Sequence, residues 1–263
     1  MSPSESAEPL VVVDNDGVRT ITLDHPASRN ALSMRMMSAL IAALRSAEHD
    51  PQVRVIVLAA NGPAFCAGHD LKEIRANPAP EFHASLMESC VALMLSIVRC
   101  PKPVIARVHA TATAAGCQLV ASCDLAVAVQ EARFATPGVN IGLFCSTPMV
   151  ALSRNLSNKH AMEMLLCGEM IDADSAWRMG LVNRVVPAPE LDATVDRLAR
   201  TIAAKSSHTL AIGKEAFYAQ REMGLEEAYR YAAGVMVANL QSEDAKEGIG
   251  AFIEKRPPCW VDR

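Results

Sequence analysis

The sequence contains no uninterrupted apolar run near the ~20 residues needed to cross a bilayer. Its most apolar stretch, residues 91–98, is short and broken by Ser96, so a soluble protein without a membrane span is expected. Basic charge is not in excess either: 25 Lys and Arg stand against 29 Asp and Glu, for a net charge of −4. A nucleic-acid binder needs clustered cations to displace counterions from phosphates, so nucleic acid is excluded as a partner. The eight cysteines show no CxxC spacing and no neighbouring His cluster. That argues against a disulfide framework and a zinc site, and it fits a reducing cytoplasm. No GxGxxG follows the first strand, which makes a dinucleotide-dependent dehydrogenase a poor reading; no redox or metal cofactor is expected. The first ten residues hold two glutamates and no arginine, matching neither a secretory signal nor an Arg-rich transit peptide. Residues 1–9 are read as a flexible tail.

What is present is a chain of 263 residues, 51% of them hydrophobic, enough to bury a core of ordinary density and too apolar for disorder. Residues 11–13 and 18–23 are β-branched runs flanking Asn15-Asp16-Gly17, which is hairpin chemistry. Ser33 opens a helix over 34–47 whose Met34, Met36 and Met37 belong to the core, and Asp50-Pro51 ends it before a strand at 53–59. A helix over 80–98 is followed by strands at 104–108 and 125–129. Beyond Pro187 only helical periods remain, at 190–204, 210–222, 225–239 and 243–255. No repeat or Gly/Ser linker separates the two parts, so 10–187 is expected to form the core and 188–263 a helical region packed on it or on a neighbouring subunit.

Two glycine-containing turns carry the chemistry. Pro63-Ala64-Phe65-Cys66-Ala67-Gly68-His69-Asp70-Leu71-Lys72-Glu73 follows a buried strand and leads into a short helix. Thr113-Ala114-Ala115-Gly116-Cys117-Gln118-Leu119 repeats that pattern. Helix starts leave N–H groups unpaired. If the turns lie side by side, two amides can converge on one oxygen and stabilise charge on a carbonyl. Either turn alone is also what close strand-to-helix packing requires.

Together the turns resemble the enoyl-CoA hydratase/isomerase (crotonase) family, and the resemblance covers nearly the whole chain. Arg29-Asn30-Ala31-Leu32, Pro101-Lys102-Pro103-Val104-Ile105-Ala106 and Cys123-Asp124-Leu125 follow the family's order. So do Phe134-Ala135-Thr136-Pro137, Met179-Gly180-Leu181-Val182 and the run from Glu247 to Arg256. Ala114-Ala115-Gly116-Cys117-Gln118 with Phe144-Cys145-Ser146-Thr147-Pro148 looks most like its enoyl-CoA hydratase domain-containing protein 3 subgroup. The resemblance implies an α/β fold, a spiral of ββα turns followed by a C-terminal all-α region used to form a trimer or a dimer of trimers. It also implies an acyl-CoA thioester ligand, in fatty-acid or related metabolism, with coenzyme A as part of the substrate. On that pattern the amides of His69 and Ala115 form the oxyanion hole. Ala67, Gly68, Asp70, Leu71 and Lys72 then hold adenine and pantetheine, Arg29 and Ala31 line the other side of the nucleotide pocket, and Lys255 with Phe252 meets the CoA phosphate, in some members from an adjacent subunit. For Lys255 the alternative is a solvated charge on a helix end.

The sequence leaves the family pattern where hydratases carry two glutamates: Gln118 and Gly138 stand there. Neither is a general base, since an amide is not basic and glycine has no side chain. The expected chemistry is therefore that of a lyase or isomerase with weak or absent crotonyl-CoA hydration; the alternative is a non-catalytic acyl-CoA-binding pseudoenzyme. His69, Cys145 and Ser146 are the candidate substitutes. A nucleophilic triad lacks a base for Cys145 or Ser146. Cys117 reads as a small buried residue or a redox-sensitive one, and His109-Ala110 as an adjustment of the turn before the second oxyanion segment.

Overall fold

The computed structural model describes residues 8–263. Most of the expected N-terminal tail lies outside them, but Pro9 is buried and its carbonyl accepts the Asp24 N–H at 2.8 Å. β1 (Leu10–Asn15) and β2 (Val18–Leu23) form an antiparallel hairpin. Asp16 and Gly17 both have positive φ, 48° and 81°, the pair of left-handed residues that matches strand twist.

α1 (Met34–His49) starts at Ser33, whose hydroxyl accepts the Met36 N–H, and buries Met36, Met37, Leu40, Leu44 and Ala47. β3 (Val55–Ala60) is buried throughout, as expected of a parallel strand covered on both faces. β4 (Ala64–Cys66) leads to α2 (Leu71–Ala76), and α3 (Pro80–Val98) follows. By length and composition α3 could cross a membrane, yet Leu86, Cys90, Leu93, Met94 and Ile97 form a buried stripe packed on α1 and the core. Then come β5 (Val104–Val108), β6 (Thr111–Thr113), α4 (Ala115–Ser122), β7 (Leu125–Val129) and β8 (Arg133–Ala135). α5 (Ser146–Ser153), α6 (Asn158–Cys167), β9 (Ile171–Asp172), α7 (Ala173–Met179) and β10 (Arg184–Val186) complete the sheets.

Six strands run in the order β1-β2-β3-β5-β7-β10, parallel from β2 onward, and a second sheet runs β4-β6-β8-β9. The crossovers between them build a spiral of ββα turns, the fold expected from the resemblance. α8 (Leu191–Ala203) lays Leu191, Thr194, Val195 and Ala199 on the larger sheet at i, i+3, i+4 and i+8 spacing. α9 (Ser207–Gln220) and α10 (Leu225–Leu240) contain no fully buried residue, and α11 (Glu243–Glu254) buries only Asp244 and Ala251.

Candidate functional site

β4 and β6 are parallel neighbours, pairing Ala64 with Thr111 and Cys66 with Ala112, and each runs into a helix. Their two exits therefore lie side by side. A methyl placed on Gly68, at φ 92°, would come within 2.8 Å of Ala114 Cβ and 3.3 Å of Ala115 N. One placed on Gly116 would be 2.1 Å from the Cys66 carbonyl oxygen. Only glycine lets these backbones touch.

The first turn is pinned by three bonds: Leu32 N–H to Gly68 O at 2.7 Å, Ala67 N–H to Arg29 O at 3.1 Å, and Thr113 Oγ1 to Ala67 O at 3.1 Å. The same contacts bring Arg29 and Ala31 beside Ala67–Lys72, with Arg29 exposed in the left-handed region at φ 53°. Asn30 is buried and structural: its Nδ2 donates to Asn61 O and Ala64 O, and its Oδ1 accepts the His25 N–H. The Asp70 carboxylate caps α2, accepting from Lys72 N and Glu73 N, while Leu71 and Lys72 stand exposed.

Ala115 is the first residue of α4, so its N–H has no intrahelical acceptor. Among the described residues neither that group nor the His69 N–H donates a hydrogen bond. All eight residues of α4 are buried, which places the positive end of its dipole in a low-dielectric surround. Ala114 holds the turn at φ 51°, ψ −121°, a conformation that disfavours any side chain.

The His69 ring is half-buried, and its Nε2 is enclosed with no partner. Burial moves its pKa below the usual 6.5, so the imidazole is neutral at physiological pH. Below about pH 6.5 the unfolded chain takes up a proton that the folded ring resists, so more protons are bound unfolded and stability falls on acidification. His69→Asn should flatten that slope in urea titrations run across this range; an unchanged slope would assign it to other groups.

The two replaced glutamate positions differ in kind. Gln118 is 4% exposed, its Oε1 faces Cys90 Sγ at 3.8 Å, and its side chain borders a cavity. Gly138 is sealed: a Cβ there would meet Leu143 O at 2.5 Å and Cys145 Sγ at 2.9 Å. Cys145 is buried, and burial raises its pKa, as it does for Cys117, pushed up to about 12; both are thiols at neutral pH. Ser146 Oγ donates only to Phe144 O, and no base engages it or Cys145 among the described residues. His109 Nε2 bonds to Gly62 O at 2.8 Å, consistent with a turn-setting role. Phe252 is 85% exposed and Lys255 caps α11.

Sequence patterns did not reveal the cluster at Asp124. Its carboxylate accepts from Val104 N at 2.7 Å, Lys214 Nζ at 2.7 Å and Tyr218 OH at 2.9 Å. Lys214 also donates to Ile97 O and Lys102 O, both at 3.0 Å, so all three ammonium donors are used. Burial and the neighbouring carboxylate hold the Tyr218 phenol above its usual pKa. The only signal was the Cys123-Asp124 pair; Lys214 carries no motif of its own. Beside the cluster a cavity of about 700 Å³ lies between α3, α4, α5 and α9, within the usual size of a small-molecule site.

A spiral core with paired glycine turns of this kind defines an acyl-thioester protein, and the chain belongs to the enoyl-CoA hydratase/isomerase family, whose profile matches residues 14–263. The enoyl-CoA hydratase domain-containing protein 3 of mouse is 47% identical over 245 residues, 93% of this chain and 82% of its own length. The crystal structure of the human protein of that name superposes with a TM-score of 0.93 at 46% identity, covering 96% of this chain and all of that one. An enoyl-CoA hydratase of Mycobacterium smegmatis gives the same TM-score at 52% identity, covering 96% of this chain and 98% of its own. Members of the family act on acyl-CoA.

The cytoplasmic expectation is corrected by these relatives. Those of mouse, rat, frog, human and zebrafish are named mitochondrial. Free thiols report a reducing compartment and do not choose among compartments of that kind.

Proposed function

We propose that this protein binds an acyl-CoA thioester with its carbonyl oxygen on the amides of His69 and Ala115, and that it acts on an enolate-type intermediate rather than as an ordinary hydratase. The observation that carries this reading is the clamped pair of turns, in which two adjacent backbone N–H groups have no acceptor among the described residues. A developing oxyanion supplies the missing acceptor, and each such donor is worth roughly 10²–10³ in rate. Arg29, Ala31 and the Ala67–Lys72 stretch form the CoA side of the site. Phe252 and Lys255 reach the phosphate of a neighbouring subunit's ligand. Catalysis then rests on polarisation of the thioester, with Gln118 and Gly138 supplying no base.

The sharp test deletes one donor. Proline suits the first position of a helix, but Ala114 has a ψ that a residue before proline avoids, so Ala115→Pro is made together with Ala114→Gly. Ala114→Gly alone relieves the strained φ and should stabilise by about 1 kcal/mol. The double variant should lose acyl-CoA recognition at least tenfold relative to Ala114→Gly while free CoA binding is kept. Equal acyl-CoA affinity in the two variants would refute the hole.

The closed Gly138 position also favours a second reading, a non-catalytic acyl-CoA binder. Turnover of any enoyl-, 3-hydroxyacyl- or branched acyl-CoA in a substrate panel separates the two. The exposed Val237, Leu240, Phe252 and Ile253 on α10 and α11 support assembly into a trimer or a dimer of trimers. Sedimentation at micromolar concentration should show that assembly; a 28.2 kDa species alone would exclude it.

A further inference from the structure

We propose that Asp124, Lys214 and Tyr218 form a latch that fixes α9 as the outer wall of an acyl-tail cavity, and that this latch makes the protein selective for extended, medium-to-long acyl chains. The proposal rests on the acyl-thioester reading above and adds to it a substrate class and the residues that select it.

The geometry begins on α4. Ala115, Gln118 and Ser122 recur at i, i+3 and i+7, so they share one helix face. At 1.5 Å per residue, Ser122 lies about 10 Å along the axis from Ala115. Gln118 and Ser122 both border the 700 Å³ cavity, whose other walls include Met94 and Val98 of α3, Ala151 of α5 and Ala211 of α9. An acyl chain whose carbonyl rests at the start of α4 therefore has a mainly apolar space along the same face, one to two turns further on, with Arg99, Arg154, Lys214, Glu215, Arg221 and Glu222 also on its lining. A four-carbon chain ends near Gln118; a longer one enters the cavity.

α9 closes that space without a single fully buried residue. Its hold on the core is polar: the Lys214 ammonium spans Ile97 O, Lys102 O and Asp124, and Tyr218 bonds the second oxygen of the same carboxylate. Asp124 is itself fixed by the Val104 N–H at the start of β5. Asp124 is thus the one side chain that joins Lys214 to Tyr218, while Lys214 is also held by two core carbonyls and the far end of α9 by Arg221 to Arg154 O and by the Arg154–Glu222 pair. Tyr218 and Lys214 line the cavity themselves, so a change at the latch is felt by whatever fills it. They are positioning residues, since the reacting carbonyl lies at the other end of α4.

The test compares butyryl-CoA and decanoyl-CoA by calorimetry on the full chain. Tyr218→Phe removes one hydroxyl and should weaken decanoyl-CoA about fivefold while leaving butyryl-CoA unchanged. Amides of 207–220 should exchange hydrogen faster in that variant. Ala151→Trp fills the cavity from the opposite wall and should weaken decanoyl-CoA more than tenfold, again sparing butyryl-CoA. Unchanged decanoyl-CoA affinity in Ala151→Trp would place the tail elsewhere. Equal shifts for both ligands in Tyr218→Phe, or none, would overturn the latch. Failure of the parent to bind either thioester would instead bring down the acyl-thioester reading, and this proposal with it.

Discussion

Crotonyl-CoA offered to the purified protein should be bound and left almost unhydrated. A positioned acid or base contributes ~10²–10⁴ in rate, and two family positions that would carry one hold Gln118 and Gly138. Groups that act as a unit are not restored one at a time, so Gln118→Glu alone should give no measurable gain. Gly138→Glu is not available as a simple repair, because its Cβ would sit 2.5 Å from the Leu143 carbonyl oxygen, a backbone atom that cannot rotate away. The double variant is therefore expected to lose stability without gaining hydration unless segment 143–145 is also opened. Loss of the enoyl chromophore follows the reaction directly. Turnover of the parent in the ordinary enzyme range, roughly 1–10³ s⁻¹, would show that another group moves the proton, with the neutral and unpartnered His69 first to be tested.

Gly116→Ala should be the most damaging single methyl in the chain. It would stand 2.1 Å from Cys66 O and 2.7 Å from Cys66 C, so β4 and α4 must separate. Overpacking against backbone costs about 3 kcal/mol or more, and separation of the two turns also pulls the amides of His69 and Ala115 apart. Denaturant midpoints and acyl-CoA affinity should fall together. Gly250→Ala is the matched control: it lies within α11 with open space around it, and helix propensity alone should stabilise by about 0.5–1 kcal/mol. A Gly116→Ala protein as stable as the parent would mean that the close approach of the two exits is not needed.

The elements with strong local signals were legible in the sequence. Ser33 marked the start of α1, Pro80 that of α3, and Asp16-Gly17 the first hairpin; each depends on chemistry within a few residues. The strand expected at 53–59 lies at Val55–Ala60, because Val53 and Arg54 are held by Asp50 O and Gly17 O outside the sheet. β8, β9 and β10 have only two or three residues each and no periodicity to detect, so α5 to α7 and the strands around them were missing from the reading. The two glycine turns could be found, and the resemblance named their roles, but their contact depends on the pairing of β4 with β6, which no local pattern encodes. Gly138 shows the same limit more sharply. The sequence records a missing carboxylate, whereas the structure shows the room for one taken by Leu143 and Cys145. Lys214 and Asp124 lie 90 positions apart, and nothing near either announces the other.

In the larger sheet β2, β3, β5, β7 and β10 lie in the order in which they are synthesised, each parallel to the strand laid down before it. A chain emerging from the ribosome can therefore extend one growing edge, without reopening finished pairs to admit a later strand. The outer wall of the acyl cavity is among the last parts made, since α9 follows every strand. During synthesis, the twin turns exist before the helix that encloses the space beyond them. A nascent chain stalled before Lys214 would then present the apolar flanks of α3, α4 and α5 uncovered, a surface that chaperones and proteases recognise, and quality control of this protein should centre on completion of α9.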